Sequence, residues 1–121
     1  MILVDTSVWV SHLRAGNTDL EKLLNEGGVA CHPFVIGELA CGNLKNRAEI
    51  LSLLNALPRV QAVTHDEAMY FIEANKLTGR GLGYIDIHVL ASAVLSETPL
   101  WTLDKKLSGT ALMLKVHYTL R

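Results

Sequence analysis

Unbroken apolar runs occur at residues 2–4 (Ile-Leu-Val), 100–103 (Leu-Trp-Thr-Leu) and, with polar interruptions, 114–118 (Leu-Lys-Val-His-Tyr). Such short runs predict strands buried on both faces. Residues 59–63 form a weaker fourth run, and residues 29–31 a candidate edge piece. Between them the apolar period changes to three and four. Thr18-x-x-Glu21 and Thr64-x-x-Glu67 both have capping-box spacing before a helical pattern, and Ile50, Leu51, Leu54 and Leu57 make one stripe. Residues 87–95 are apolar nearly all round, which predicts a helix buried on most sides. Strands alternating with helices and few hairpin signals predict an α/β fold, a central parallel β-sheet flanked by α-helices. No repeat, low-complexity segment or linker divides the 121 residues, so one domain spanning 1–121 is expected.

On this framework the acids stand in unusual places. Asp5 directly follows the first strand run and Asp104 the run at 100–103, at the carboxyl ends of strands where open α/β sheets bind ligands. Asp86 opens the apolar helix. Glu38 lies within Phe-Val-Ile-Gly-Glu-Leu-Ala, where an acid amid apolar neighbours is expected to need a cation. Structural readings compete: Asp5 and Asp86 can cap their helices, and Asp104 can start a turn with Lys105. Taken together, four acids with few bases beside them point to bound positive charge, and carboxylates with waters are the ligands that Mg2+ or Mn2+ prefer. Two such ions can hold the attacking and leaving oxygens of a phosphodiester, which is nuclease chemistry.

Charge and composition narrow the picture further. A net charge of -1 excludes a uniformly basic nucleic-acid binder, although eleven Lys and Arg outnumber the eight acids that remain once these four are set aside. Half the residues are hydrophobic and 19% charged, which excludes disorder and leaves apolar surface for a homodimer to cover. Cys31 and Cys41 form no C-x-x-C pair and read as apolar fillers. The apolar start is too short for a signal peptide and no run is long enough to span a membrane, so a cytoplasmic protein with no membrane association is expected. The five histidines are scattered. His88, two residues after Asp86, points away from it on a helix and reads as a packed or surface residue. Trp9, Trp101 and Tyr70 read as core or dimer-contact residues.

In order and spacing, MILVDTSVWV, VIGELACG, GYIDIHVLASA and LWTLDKKL resemble the successive motifs of PIN domains, and are most similar to the VapC toxins of bacterial toxin–antitoxin pairs. The resemblance runs from Met1 to about residue 107. It implies a PIN fold and a metal-dependent endoribonuclease, the toxin of a type II toxin–antitoxin system, with Asp5, Glu38, Asp86 and Asp104 as metal-binding catalytic acids. Thr6, Ser7 and Thr102 match hydroxyl positions that would orient carboxylates or water, though as helix caps they also have a structural explanation. It also implies an RNA substrate, a VapB-type antitoxin and homodimerisation. Lys105 and Lys106, just after Asp104, are the best-placed residues for RNA phosphates. Two rivals are a PIN-fold module that binds RNA or protein without cutting, and an aspartyl-phosphate phosphatase. The first would lack metal-binding acids, and the second typically has an acid where this chain has Ser7.

Overall fold

The computed structural model describes residues 1–120. Three parallel strands, β1 (Ile2–Val4), β2 (Val29–Ala30) and β3 (Leu100–Trp101), form a sheet in the order β2-β1-β3. Ile2 pairs with Val29 and Val4 with Trp101. Leu3, Val4 and Leu100 are fully buried, as a parallel sheet covered on both faces requires. Around the sheet lie α1 (Thr6–Ala15), α2 (Thr18–Asn25), α3 (Pro33–Ala40), α4 (Arg47–Ala56), α5 (His65–Ala74), α6 (Tyr84–Leu95) and α7 (Lys105–Met113). The α/β class and its central parallel sheet are therefore as expected.

Helix α6 is the hub: every residue from Ile87 to Ala93 is buried. Its apolar periphery is too wide for one face, so the helix lies beneath others instead of on the surface. In α4 only Leu54 is buried, with Ile50, Leu51 and Leu57 packed partly against the core. Helix α5 carries the expected capping box, Glu67 N donating to Thr64 Oγ1 at 3.1 Å and Thr64 N to the Glu67 carboxylate at 2.8 Å. The spacing misplaced the start of α2, whose cap is Asn17, accepting from Leu20 N at 3.0 Å, and not Thr18.

Two strand expectations fail. Residues 114–118 form no strand: Leu114 ends α7, Lys115 turns left-handed (φ 62°), and Lys115 and Val116 donate to Leu112 O at 3.1 Å and Ala111 O at 2.9 Å. That pair of bonds is a Schellman motif with lysine at the position glycine usually takes. Only a single parallel bridge, Leu100 to His117, then reaches the sheet. Likewise 59–63 contributes one bridge, Cys31 to Arg59. The run at 100–103 pairs with β1 only at Leu100 and Trp101.

Candidate active site

Parallel strands all deliver their carboxyl ends to one edge, so β1 and β3 bring residues 5–7 and 102–104 together across almost the whole chain. Asp5 N donates to Trp101 O at 2.9 Å, which locks the two exits side by side. Asp5 occupies the N-cap position of α1, yet its side chain makes no cap hydrogen bond. Instead Oδ2 accepts from Thr102 Oγ1 at 2.7 Å and Ser7 Oγ at 2.9 Å. The capping account of Asp5 does not hold. Asp5 as a residue is only 6% exposed, and two hydroxyls aim its carboxylate.

Thr102 and Ser7 serve more than Asp5. The two hydroxyls lie 3.2 Å apart, Leu103 N donates to Ser7 Oγ at 2.9 Å, and Asp104 N donates to Thr102 Oγ1 at 3.1 Å. The β3 exit is thereby fixed onto α1. Asp104 is a true N-cap: its Oδ1 accepts from Lys106 N at 2.9 Å and Leu107 N at 3.0 Å, so it starts α7 where a mere turn with Lys105 was considered.

Glu38 departs from expectation. It is exposed on α3, so the burial argument for it was wrong: Val35, Ile36 and Leu39 take the core while Glu38 stands at the edge of that buried stripe, open to solvent. It is engaged nonetheless, because Thr6 Oγ1 donates to its Oε1 at 2.6 Å across 32 residues of sequence. Asp86, in the first turn of α6, accepts from Gly83 N at 3.1 Å through Oδ2. Burial raises its carboxyl above the usual aspartate value, the Gly83 bond lowers it, and the charges of Asp5, Asp104 and Glu38 raise it again.

The fold thus draws Asp5, Asp104 and Glu38 around Asp86, and the protein's hydrogen bonds to these four acids come from hydroxyls and backbone amides among the described residues. They are not collapsed into a cage: among the described residues, no three acidic, histidine or cysteine side chains stand close enough to hold one ion. Like charges with no cation between them hold apart. The donor set nonetheless fits a hard divalent cation. In each acid one oxygen carries the recorded protein bonds, which leaves its second oxygen for a ligand. Mg2+ keeps several waters and needs only one or two direct carboxylates.

Other residues fall outside the crevice. His88 is buried between Phe34 and Tyr84, ring centroids 4.7 and 4.5 Å away, and neither ring nitrogen has a partner. Burial lowers its proton affinity, with His65 adding to the effect, so it packs as a neutral ring. Trp9 and Trp101 are core, whereas Tyr70 is 75% exposed and is not. Cys31 is buried, but Cys41 is exposed and fills no core. Lys105 and Lys106 are exposed on α7. Sequence reasoning missed His32, which caps α3 by accepting from Phe34 N at 2.9 Å through Nδ1 and meets Ser92 Oγ at 3.2 Å through Nε2. The signal was available in Pro33, since proline at the first helical position marks the residue before it as the cap.

A family model described as PIN domain matches residues 2–112. Ribonuclease VapC32 from two strains of Mycobacterium tuberculosis is 47% identical over 110 residues, covering 90% of this chain and 89% of the relative. No helix among the described residues is long and apolar enough to cross a membrane. With a family match over most of its length and a relative this similar, the chain belongs to the PIN-domain family, in its VapC group.

Proposed function

We propose that this chain, read as one PIN domain over residues 1–121, is a metal-dependent endoribonuclease and the toxin of a toxin–antitoxin pair. The observation that carries the reading is the charge around Asp86, a half-buried carboxylate facing Asp5, Asp104 and Glu38 with no cation among the groups that shift it. Folding alone gives no return for such an arrangement. Asp5, Glu38, Asp86 and Asp104 are assigned to Mg2+ or Mn2+. When bound, the ions polarise the phosphate and lower the pKa of the attacking water. Thr6 holds Glu38, while Ser7 and Thr102 hold Asp5 in one rotamer, so little reorganisation is left for the reaction.

The relatives' name also supports an RNA substrate and a VapB-type antitoxin for this chain. A second copy of the chain is the further partner we propose, in a cytoplasmic setting. Exposed Met69, Tyr70 and Leu95 leave apolar surface for a dimer to cover. A light-scattering mass that stays at the 13.3 kDa of one chain at micromolar concentration would reject the dimer. For the activity, purified protein free of inhibitor cuts single-stranded or loop RNA with Mg2+ or Mn2+. It leaves 5′-phosphate and 3′-hydroxyl ends, because water and not the 2′-hydroxyl attacks. Products ending in a 2′,3′-cyclic phosphate, or cleavage that survives EDTA, would exclude the mechanism.

A further inference from the structure

We infer that Lys106, its stem laid across Gly81, binds a backbone phosphate of the RNA at the rim of the acidic crevice, and that position 81 is glycine to provide this seat. The inference rests on the nuclease reading above. It starts from a contact between two elements far apart in sequence. A Cβ added to Gly81 would stand 2.7 Å from Lys106 Cδ, 3.2 Å from Cε and 3.0 Å from Nζ. The lysine stem therefore occupies the space that any other residue at 81 would fill.

Both ends of this contact are tied to an acid. Lys106 donates its backbone amide to Asp104 Oδ1 at 2.9 Å, and the loop that holds Gly81 continues to Gly83, whose amide donates to Asp86 Oδ2 at 3.1 Å. The ammonium thus sits where the Asp104 and Asp86 elements face each other. It is not among the groups that shift Asp86, which are three carboxylates and one backbone amide. Among the described residues its ammonium makes no hydrogen bond, whereas an RNA strand entering an acidic crevice needs positive charge at the rim. Lysine meets phosphate as a point charge, and a stem lying on glycine backbone reduces the freedom it must give up on binding. Lys105, its neighbour, is exposed and lies against no glycine in this way.

Gly79 supplies the control. Gly79 and Gly81 have nearly the same left-handed backbone, φ 77° and 79°, but nothing lies within 4 Å of a Cβ added at 79. Gly79→Ala and Gly81→Ala therefore share the backbone strain, and only the second displaces Lys106. The atoms displaced are the far end of a flexible side chain, so the fold around them need not shift.

The test measures binding of a short labelled single-stranded RNA in EDTA across a salt series, with KM and kcat for cleavage in Mg2+ alongside. Lys106→Met is expected to lower the slope of log affinity against log salt by about 0.7, the value for one phosphate contact on a single strand, and to raise KM more than it lowers kcat. Lys106→Arg restores the slope, Gly81→Ala reproduces the loss, and Gly79→Ala and the distant exposed Lys22→Met do neither. A Lys106→Met slope equal to the wild type, in a wild type that binds and cuts RNA, overturns the role of Lys106 and leaves the nuclease reading standing. A Gly79→Ala effect as large as that of Gly81→Ala overturns the seat. If the wild type neither binds nor cuts RNA, the nuclease reading falls and this inference with it. Melting curves accompany each variant, and Lys106→Met at its exposed position carries the test if the glycine variants unfold.

Discussion

Asp5 and Asp104 occupy the same formal position, the residue before a helix that follows a strand, and use it differently. Asp104 spends Oδ1 on two amides of α7, whereas Asp5 gives its helix no side-chain bond and is held by Ser7 and Thr102. Position alone therefore cannot distinguish a cap from a ligand, and substitution can. Asn caps a helix as well as Asp does, while Ala loses the cap at a cost of about 1 kcal/mol. In EDTA Asp104→Asn should be at least as stable as the wild type, because it keeps the cap and removes one of the charges around Asp86, and Asp104→Ala should be less stable than Asp104→Asn by about that much. Both should lose cleavage by at least about 100-fold, beyond what removing a residue that only orients a ligand usually costs. Cleavage that survives in Asp104→Asn but not in Asp104→Ala would mean that Asp104 serves only as a cap. Chemical denaturation and a cleavage assay on the two variants decide it.

At the scale of elements, α3 depends on a histidine that must stay neutral. His32 Nδ1 accepts from Phe34 N, so a proton there removes the cap. Burial, reinforced by His88, lowers its pKa from 6.5 to about 4. With the folded value below the unfolded one, the stability His32 contributes is complete above pH 6.5 and is lost as pH falls through 4. A gap of that size corresponds to about 3 kcal/mol. His32→Asn retains a capping side chain but cannot titrate, so the wild type should lose stability relative to it between pH 6.5 and 4. Parallel losses in urea melts of the two proteins would refute the account. His32 also illustrates what was legible. Helix α6, the α5 capping box and strand β1 follow from local pattern, and Asp5 and Asp86 stood out because one follows β1 and the other opens α6. Residues 114–118 misled because apolar runs report burial and not pairing, and a left-handed Lys115 has no sequence signature. The exposure of Glu38 and the meeting of Ser7 with Thr102, 95 residues apart, depend on packing that no local spacing encodes.

The whole molecule carries a net charge of only -1, yet it concentrates four carboxylates around one crevice. At an effective dielectric near 20, two like charges at 4 Å repel by about 4 kcal/mol before water and protonation reduce it. The pKa of Asp86 is raised first by burial and then by this repulsion from Asp5, Asp104 and Glu38. An acid whose folded pKa is raised contributes stability that is complete below the unfolded value of 3.8 and is lost as pH rises through the folded value. Metal-free protein at neutral pH therefore bears the full repulsion. Asp86→Asn, which keeps an oxygen to accept from Gly83, should be at least as stable as the wild type in EDTA, and its advantage should grow as pH rises from the acid range. Asp5→Asn should behave alike at neutral pH, since its carbonyl can still accept from Ser7 and Thr102. With Mg2+ the order should reverse, because a ligand at 100 times its dissociation constant adds about 2.7 kcal/mol to the state that binds it, and each variant has lost a ligand oxygen. Six melting curves, of the wild type and the two variants with and without Mg2+, separate the outcomes. If Mg2+ shifts wild type and variant equally, Asp5 and Asp86 are not ligands, and the raised pKa of Asp86 is a cost of folding without a compensating ion. If the curves cross, the same crowding that weakens the empty fold is what holds the metal.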